Sequence, residues 1–153
     1  GFAREHGHVL RFIEYMDVGT CNGWSRERVV PSAELRDRIA AHWPLRALDA
    51  NYRGEVAERY AYEDGRGEIG FVSSVTAPFC GDCHRARVSA DGQLYTCLFA
   101  GQGHDLRALL ARGEEALAEH VAGLWAARVD RYSEVRSEAG ASRKHVEMYL
   151  VGG

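Results

Sequence analysis

The chain has 153 residues, of which 46% are hydrophobic and 27% are charged, a composition typical of a globular protein and not of a disordered one. Its 19 Lys and Arg residues against 22 Asp and Glu give a formal net charge of −3, which excludes a general electrostatic attraction to nucleic acids or membranes. No apolar run reaches the ~18 residues of a membrane span, and the first residues lack the apolar core of a signal peptide. We therefore expect a soluble, cytoplasmic protein, and the absence of an initial Met indicates a trimmed or partial product.

The N-terminal part of the chain predicts one strand and one helix. Residues 8–16 (HVLRFIEYM) mix β-branched, aromatic and aliphatic side chains over a strand-like length, and the breakers Gly19 and Asn22-Gly23 follow, which favours a single buried strand. Ser32 can cap a helix that Pro44 ends. The apolar residues of this helix recur at every fourth position and are Leu35, Ile39 and Trp43.

Two β-hairpins are predicted in the middle of the chain. Polar and apolar residues alternate over 58–62, and an apolar run over 69–72 follows a turn-rich segment, as in two strands joined by a short connection. Residues 85–89 and 93–98 predict a second pair of strands. Their connection contains Asp91-Gly92, which tolerates the positive φ angles of a tight turn.

The remainder of the chain is predicted to be mostly helical. Residues 105–110 predict a short helix and residues 116–129 a longer one with Trp125 in the core, whereas residues 145–151 alternate at first like a strand. The apolar positions of the longer helix are Leu117, Val121, Leu124, Trp125 and Val129.

Cysteine spacing carries the main chemical signal of this sequence. The chain has 4 cysteines, too few for the disulfide framework of a small secreted protein. Cys80 and Cys83 form a C-x-x-C turn, and Cys97 lies on the second predicted strand of the following hairpin, so three thiolates could bind one soft metal centre. They could hold zinc with a fourth ligand, or an iron–sulfur cubane with one iron left open. The remaining alternative is that the chain has two buried thiols and an unrelated third thiol, none of which binds metal. Candidates for the fourth zinc ligand are Cys21, His84 and His104.

Two arginines follow the C-x-x-C pair directly. Arg85 and Arg87 are two positions apart, so on a strand both guanidinium groups project from the same face. Paired guanidinium groups bind phosphate oxygens through charge-assisted hydrogen bonds. The sequence therefore indicates a local phosphate site, with two solvated strand arginines as the alternative.

Seven separated motifs carry a family resemblance. They are RFIEYM at 11–16, NGW at 22–24, GEIGFVSSVT at 67–76, CGDCHRAR at 80–87, LFA at 98–100, RYSE at 131–134 and GG at 152–153. In this combination the chain resembles, over essentially its whole length, the C-terminal half of the GTP 3′,8-cyclase family, the radical-SAM enzymes that open molybdenum cofactor (molybdopterin) biosynthesis.

The resemblance implies a reaction. In that family an N-terminal 4Fe–4S cluster on a C-x-x-x-C-x-x-C loop cleaves S-adenosylmethionine to a radical that abstracts the ribose 3′ hydrogen of GTP. The resulting carbon radical attacks C8 of guanine, which gives (8S)-3′,8-cyclo-7,8-dihydroguanosine 5′-triphosphate. A second 4Fe–4S cluster, bound by three C-terminal cysteines, leaves one iron open to the guanine base.

The resemblance also implies roles for residues of this chain. Cys80, Cys83 and Cys97 match the ligands of the second cluster, and Cys21 stays a loop thiol outside it. The segment Arg85-Ala86-Arg87 matches the residues that line the GTP triphosphate, and Met16 matches a contact to S-adenosylmethionine. By the same matching, the terminal Gly152 and Gly153 form a tail that reaches the active site.

The implied fold is α/β, the C-terminal part of an incomplete, TIM-like (β/α) radical-SAM barrel with an α+β extension that carries the second cluster. Residues 1–20 are expected to supply the last barrel strand and the following loop, and residues 21–153 the region that closes the barrel, in one domain with the missing N-terminal half. The sequence contains no C-x-x-x-C-x-x-C, so we expect the chain alone to be inactive and to be able to form a homodimer. It should need the N-terminal half, which is either the rest of the same full-length enzyme or a separate chain. A zinc-stabilised structural module and a small iron–sulfur electron carrier are the alternatives.

Overall fold

The computed structural model describes residues 1–136 and 146–150, and these divide into two units. Unit 1 comprises residues 1–16 and 24–83, and unit 2 comprises residues 17–23 and those from 84 onward. The helices are α1 (Phe2–Glu5), α2 (Ser32–Ala40), α3 (Arg107–Leu110) and α4 (Glu114–Ala126). The strands are β1 (Leu10–Ile13), β2 (Leu45–Leu48), β3 (Glu58–Tyr62), β4 (Glu68–Val72), β5 (Arg87–Val88), β6 (Gln93–Tyr95) and β7 (His104–Asp105). No helix in the described part of the chain is long and apolar enough to cross a membrane.

Unit 1 contains a four-stranded mixed sheet in the order β1-β4-β3-β2. The predicted hairpin of β3 and β4 is confirmed, and β1 pairs with β4 in parallel, with Phe12 opposite Phe71. The prediction of a nine-residue buried strand over 8–16 is wrong, because β1 has four residues and lies at the sheet edge. Leu10 is 40% exposed and Ile13 60%. This sheet and its helices confirm a fold that mixes α-helices and β-strands, with one parallel and two antiparallel strand pairings.

The core of unit 1 forms where α2 covers the sheet. Ile69 and Phe71 of β4 are each only 1% exposed, and the rings of Phe12 and Phe71 stack with centroids 5.7 Å apart. Leu35 and Ile39 of α2 pack against this cluster together with Trp43, so the predicted apolar face of the helix is confirmed. Burial of such side chains contributes about 1.5–3 kcal/mol each.

Two local predictions in unit 1 are corrected. Ser32 is not the cap of α2, because Pro31 occupies that position and Ser32 is the first helical residue. The helix ends at Ala40, before the predicted stop. Strand β2 was not predicted, since LRAL is poor in β-branched residues; it forms through antiparallel pairing with β3, in which Leu45 lies opposite Tyr62.

Unit 2 contains a three-stranded sheet in the order β5-β6-β7. The predicted hairpin of β5 and β6 is confirmed but shorter, and Gly92 adopts the expected positive φ of 79°. Its turn is closed by a bond from the Ser89 N–H to the Gln93 carbonyl oxygen at 2.9 Å. His104 and Asp105 form the edge strand β7, so the prediction that Asp105 begins a helix is wrong and α3 starts at Arg107.

The helix α4 and the C-terminal segment differ from the predictions at their ends. Because α4 stops at Ala126, Val129 leaves the apolar face and is 87% exposed. Trp125 is half-buried rather than a core residue, and the Arg128 guanidinium lies 4.7 Å from its ring centroid. Met148–Leu150 form a 3-10 turn instead of a strand. Gly152 and Gly153, the predicted tail, lie outside the described residues.

Candidate cysteine cluster and anion site

The C-x-x-C segment folds as a single 3-10 turn in unit 1. The turn covers Cys80–Asp82, and the Cys83 N–H donates to the Cys80 carbonyl oxygen at 3.2 Å. A turn of this kind brings side chains three positions apart toward one side of the chain. Both thiols are half-buried, so the turn presents two candidate sulfur ligands from one short piece of backbone.

The third predicted ligand, Cys97, lies in unit 2 in the loop that follows β6. The Phe99 N–H donates to the Cys97 Sγ at 3.4 Å, and the Ala100 N–H donates to the Cys97 carbonyl oxygen at 3.2 Å. Cys97 also lines an open cavity within unit 2 of about 880 Å³, together with Phe99, Gln102, Arg131 and Tyr132. An N–H donor stabilises negative charge on sulfur, which suits a thiolate that binds metal.

The chemistry of these donors fits an iron–sulfur cluster. All four cysteines lie in the described part of the chain and none of them is in a disulfide. Within each unit, the described residues contain no group of three His, Cys, Asp or Glu side chains placed to hold a metal ion. Cys21, a candidate fourth zinc ligand, is exposed and its thiol lies 3.7 Å from Glu147 Oε1. Three thiols without a disulfide are the donor set that a 4Fe–4S cluster with one open iron requires.

The structure places the two predicted phosphate ligands on one side of an extended segment. Arg87 begins β5, and Arg85 precedes it by two residues. Arg85 and Arg87 are half-buried, whereas Ala86 between them and Val88 after them are exposed. Because side chains alternate between the two faces of an extended chain, this burial pattern indicates that both arginines project in the same direction.

Met16 lies three residues beyond the end of β1 and is half-buried. A nearby residue of this segment that sequence reasoning missed is Glu14, which is only 4% exposed. Its carboxylate accepts hydrogen bonds at 2.8 Å from the backbone N–H groups of Ser32, Val75 and Thr76, and one at 2.5 Å from the Thr76 hydroxyl. Glu14 thus joins β1, α2 and the segment after β4.

The hydrogen bonds determine the charge state of Glu14. Burial would raise the pKa of this carboxyl, but the Thr76 hydroxyl and the three N–H donors together lower the pKa below its ordinary value. The group is therefore a carboxylate at neutral pH. A single Glu within the apolar run of residues 9–16 was the only available sequence signal.

Comparison with protein-family models now adds a decisive match. Residues 8–134 match the family described as Molybdenum Cofactor Synthesis C. The chain belongs to the Molybdenum Cofactor Synthesis C family. The resemblance inferred from the seven motifs is therefore confirmed at the level of the family, and the matched residues include every proposed cluster ligand and both arginines.

Curated relatives of this Molybdenum Cofactor Synthesis C chain are named GTP 3′,8-cyclase. A protein of Xanthomonas campestris pv. campestris (strain B100) is 68% identical over 150 residues, which are 98% of this chain and 44% of the relative. A protein of Synechococcus sp. (strain WH7803) is 54% identical over 99% of this chain and 43% of its own length. A protein of Acidothermus cellulolyticus is 50% identical over 95% of this chain and 42% of its own length. The chain thus spans less than half the length of these relatives.

Proposed function

We propose that the chain is the C-terminal part of a GTP 3′,8-cyclase, a lyase that converts GTP to (8S)-3′,8-cyclo-7,8-dihydroguanosine 5′-triphosphate in the first step of molybdenum cofactor biosynthesis. The observation that carries the proposal is 68% identity over 98% of the chain to a protein of that name. The local geometry of the C-x-x-C turn, and separately that of the extended segment with Arg85 and Arg87, supports it. Radical generation would come from S-adenosylmethionine and a 4Fe–4S cluster of the N-terminal half, while this chain binds and orients.

Cys80, Cys83 and Cys97 would hold the second 4Fe–4S cluster. With three thiolates for four irons, one iron stays without a protein ligand and can contact the guanine base. The Phe99 N–H on the Cys97 Sγ would tune this site, since hydrogen bonds to ligand sulfurs shift the potential of such clusters. The cavity beside Cys97 supplies room for a substrate base.

The exposed strand β1 would be the last strand of the radical-SAM barrel. It lies at the edge of its sheet and leaves Leu10 and Ile13 exposed, and an edge strand with exposed apolar side chains is normally covered by another part of the protein. Residues 1–20 would then supply the strand and its following loop, and residues 21–153 the region that closes the barrel. Met16, just beyond the carboxyl end of β1, has the position expected of a residue that contacts S-adenosylmethionine, because barrel active sites lie at that end.

The terminal residues Gly152 and Gly153 would reach the same active site. The segment that precedes them is held in unit 2 at two points. The Val146 N–H donates to the Ala100 carbonyl oxygen at 3.3 Å, and Glu147 Oε1 accepts from the Thr20 N–H at 2.8 Å. Because glycine lets a backbone approach a ligand closely, a diglycine is suited to a tail of this kind.

We predict that Arg87→Ala weakens GTP binding about 10- to 100-fold, since a hydrogen bond to a charged group contributes about 1.5–3 kcal/mol. Guanosine, which lacks the phosphates, should bind Arg87→Ala as it binds the wild type. Isothermal titration of the anaerobic full-length gene product with both ligands measures the difference. The matched control is Arg107→Ala, whose exposed side chain pairs with Asp105 at 2.6 Å in the same unit. Equal losses for GTP and guanosine would contradict a phosphate contact.

The proposed activity is tested by mass spectrometry of anaerobic reactions with GTP, S-adenosylmethionine and dithionite. The full-length gene product should form the cyclic nucleotide and 5′-deoxyadenosine in equal amounts. The chain of residues 1–153 alone should form neither, because the protein positions substrates while cofactors supply the radical chemistry. A colourless protein that contains zinc and no iron would overturn the proposal in favour of a zinc-stabilised module.

A further inference from the structure

The carboxylate of Asp17 connects two distant parts of unit 2. Its Oδ1 accepts a hydrogen bond from the Arg136 Nε at 2.8 Å, and its Oδ2 accepts one from the Tyr132 hydroxyl at 2.5 Å. Only 13% of the Asp17 side chain and 5% of the Arg136 side chain are exposed. A buried carboxylate with both oxygens engaged by a guanidinium and a phenol is held in one orientation.

The two partners of Asp17 both contact Phe99. The Tyr132 ring stacks on the Phe99 ring with centroids 4.6 Å apart, and the Arg136 guanidinium carbon lies 5.2 Å from the Phe99 centroid. Phe99 is itself only 8% exposed. We use the name Asp17 brace for the set of Asp17, Tyr132 and Arg136. It follows that the Asp17 brace fixes the position of the Phe99 ring and of the backbone that carries it.

That backbone supports the Cys97 thiol directly. The Phe99 N–H is the hydrogen-bond donor to the Cys97 Sγ at 3.4 Å. On the other side of Cys97, the Thr96 hydroxyl donates to Asp130 Oδ2 at 2.6 Å. The loop is therefore tethered before and after the cysteine, and the Asp17 brace is the tether on the side that supplies the N–H.

We propose that Asp17 is a positioning residue for the Cys97 thiolate. It acts through Tyr132 and Arg136 on Phe99, and thereby keeps the Cys97 Sγ and its N–H donor in the geometry that a cluster ligand needs. The statement that this geometry serves cluster binding rests on the proposed function. The restraint on the Cys97 thiol is independent of that function. Asp17 also follows Met16 directly in the chain, so one carboxylate restrains the backbone next to the proposed S-adenosylmethionine contact as well.

The restraint is measured on iron-free, reduced protein as the rate of iodoacetamide alkylation at each cysteine, resolved by mass spectrometry of peptides. Asp17→Asn removes the charge of the brace, and Tyr132→Phe removes only the hydroxyl and keeps the ring on Phe99. The matched control is Glu68→Gln in unit 1, which removes a carboxylate that pairs with Arg59 at 2.6 Å. The full-length gene product is used throughout, with circular dichroism to confirm that each variant folds.

We expect Asp17→Asn to raise the alkylation rate of Cys97 at least about tenfold and Tyr132→Phe to raise it less, with Cys80 and Cys83 unchanged, because only the Cys97 loop opens more often. Glu68→Gln should leave all three rates at wild-type values. A Cys97 rate within twofold of wild type in a folded Asp17→Asn would overturn the proposal, as would an equal rise at all three cysteines.

Reconstitution with iron and sulfide separates this proposal from the proposed function. We expect Asp17→Asn to show an altered electron paramagnetic resonance signal of the second cluster at an iron content closer to wild type than that of Cys97→Ala. A signal identical to that of the wild type would count against the brace. A wild-type protein that binds no cluster at Cys97 would overturn the proposed function, while the alkylation rates would still decide the role of Asp17.

Discussion

Cys97→Ala is expected to abolish formation of the cyclic nucleotide and to remove the iron of one cluster, about four atoms per chain. The reason is that Cys80 and Cys83 come from one short turn and leave two irons of the cubane without a protein ligand when the third thiolate is lost. Iron analysis of the anaerobically reconstituted full-length gene product measures the loss. The electronic absorption of the remaining cluster serves as a second readout.

The matched control for this substitution is Cys21→Ala. Cys21 is exposed, and its thiol lies 3.7 Å from Glu147 Oε1 within unit 2. We expect wild-type iron content and wild-type turnover in Cys21→Ala. Equal iron content in the two variants would remove Cys97 from the ligand set, and loss of iron only in Cys21→Ala would reassign the third ligand.

Glu14→Ala should lower the free energy of unfolding by about 3 kcal/mol or more, because each buried donor left without an acceptor costs about 1–3 kcal/mol. Three backbone N–H groups and one hydroxyl donate to this carboxylate. Urea unfolding at pH 7 measures the change. The control is Glu34→Ala on the exposed face of α2, where an ion pair with Arg38 at 2.5 Å has side chains that are 45% and 72% exposed. Exposed pairs of this kind contribute about 0–1 kcal/mol.

The effect of Glu14 should also depend on pH. The pKa of Glu14 is lowered in the folded protein, so the folded state favours the charged form and this contribution to stability is fully present above the unfolded pKa of about 4.3. It is lost as the pH falls through the lower, folded pKa. The stability difference between wild type and Glu14→Ala should therefore narrow below about pH 4. A difference that is constant from pH 7 to pH 3 would contradict a charged Glu14.

Sequence patterns predicted the elements whose burial follows a regular period. The fourfold repeat of Leu35, Ile39 and Trp43 and the alternation over 58–62 both reflect one side packed on the core of unit 1. Strand β2 and strand β7 were missed because their residues have little intrinsic β preference and are held by pairing with β3 and β6. The burial of β1 was overestimated, because the apolar content of a segment does not reveal which neighbouring strands are present to cover that segment.

The candidate ligands of the site were easier to find from the sequence than the residues that hold the surrounding backbone in place. C-x-x-C and the alternate arginines are local patterns, and their local geometry is the 3-10 turn at Cys80 and the extended segment through Arg87. Asp17 and Glu14 could not be found in this way. Their most distant partners lie 119 and 62 residues away along the chain, and no sequence pattern connects residues at these separations.

The discontinuity of unit 2 has a consequence for the order in which the chain is synthesised. Residues 17–23 belong to unit 2, yet all of the remaining residues of that unit come after residue 83. Asp17 leaves the ribosome long before Arg136, its partner 119 residues later, and this interval is on the order of ten seconds at ordinary translation speeds. Residues 24–83, the rest of unit 1, are translated within that interval, so the sheet of unit 1 can form while residues 17–23 still lack the other residues of unit 2. A premature stop between residues 84 and 136 would therefore release a polypeptide with a complete unit 1 and an Asp17 carboxylate that lacks Arg136 as its partner.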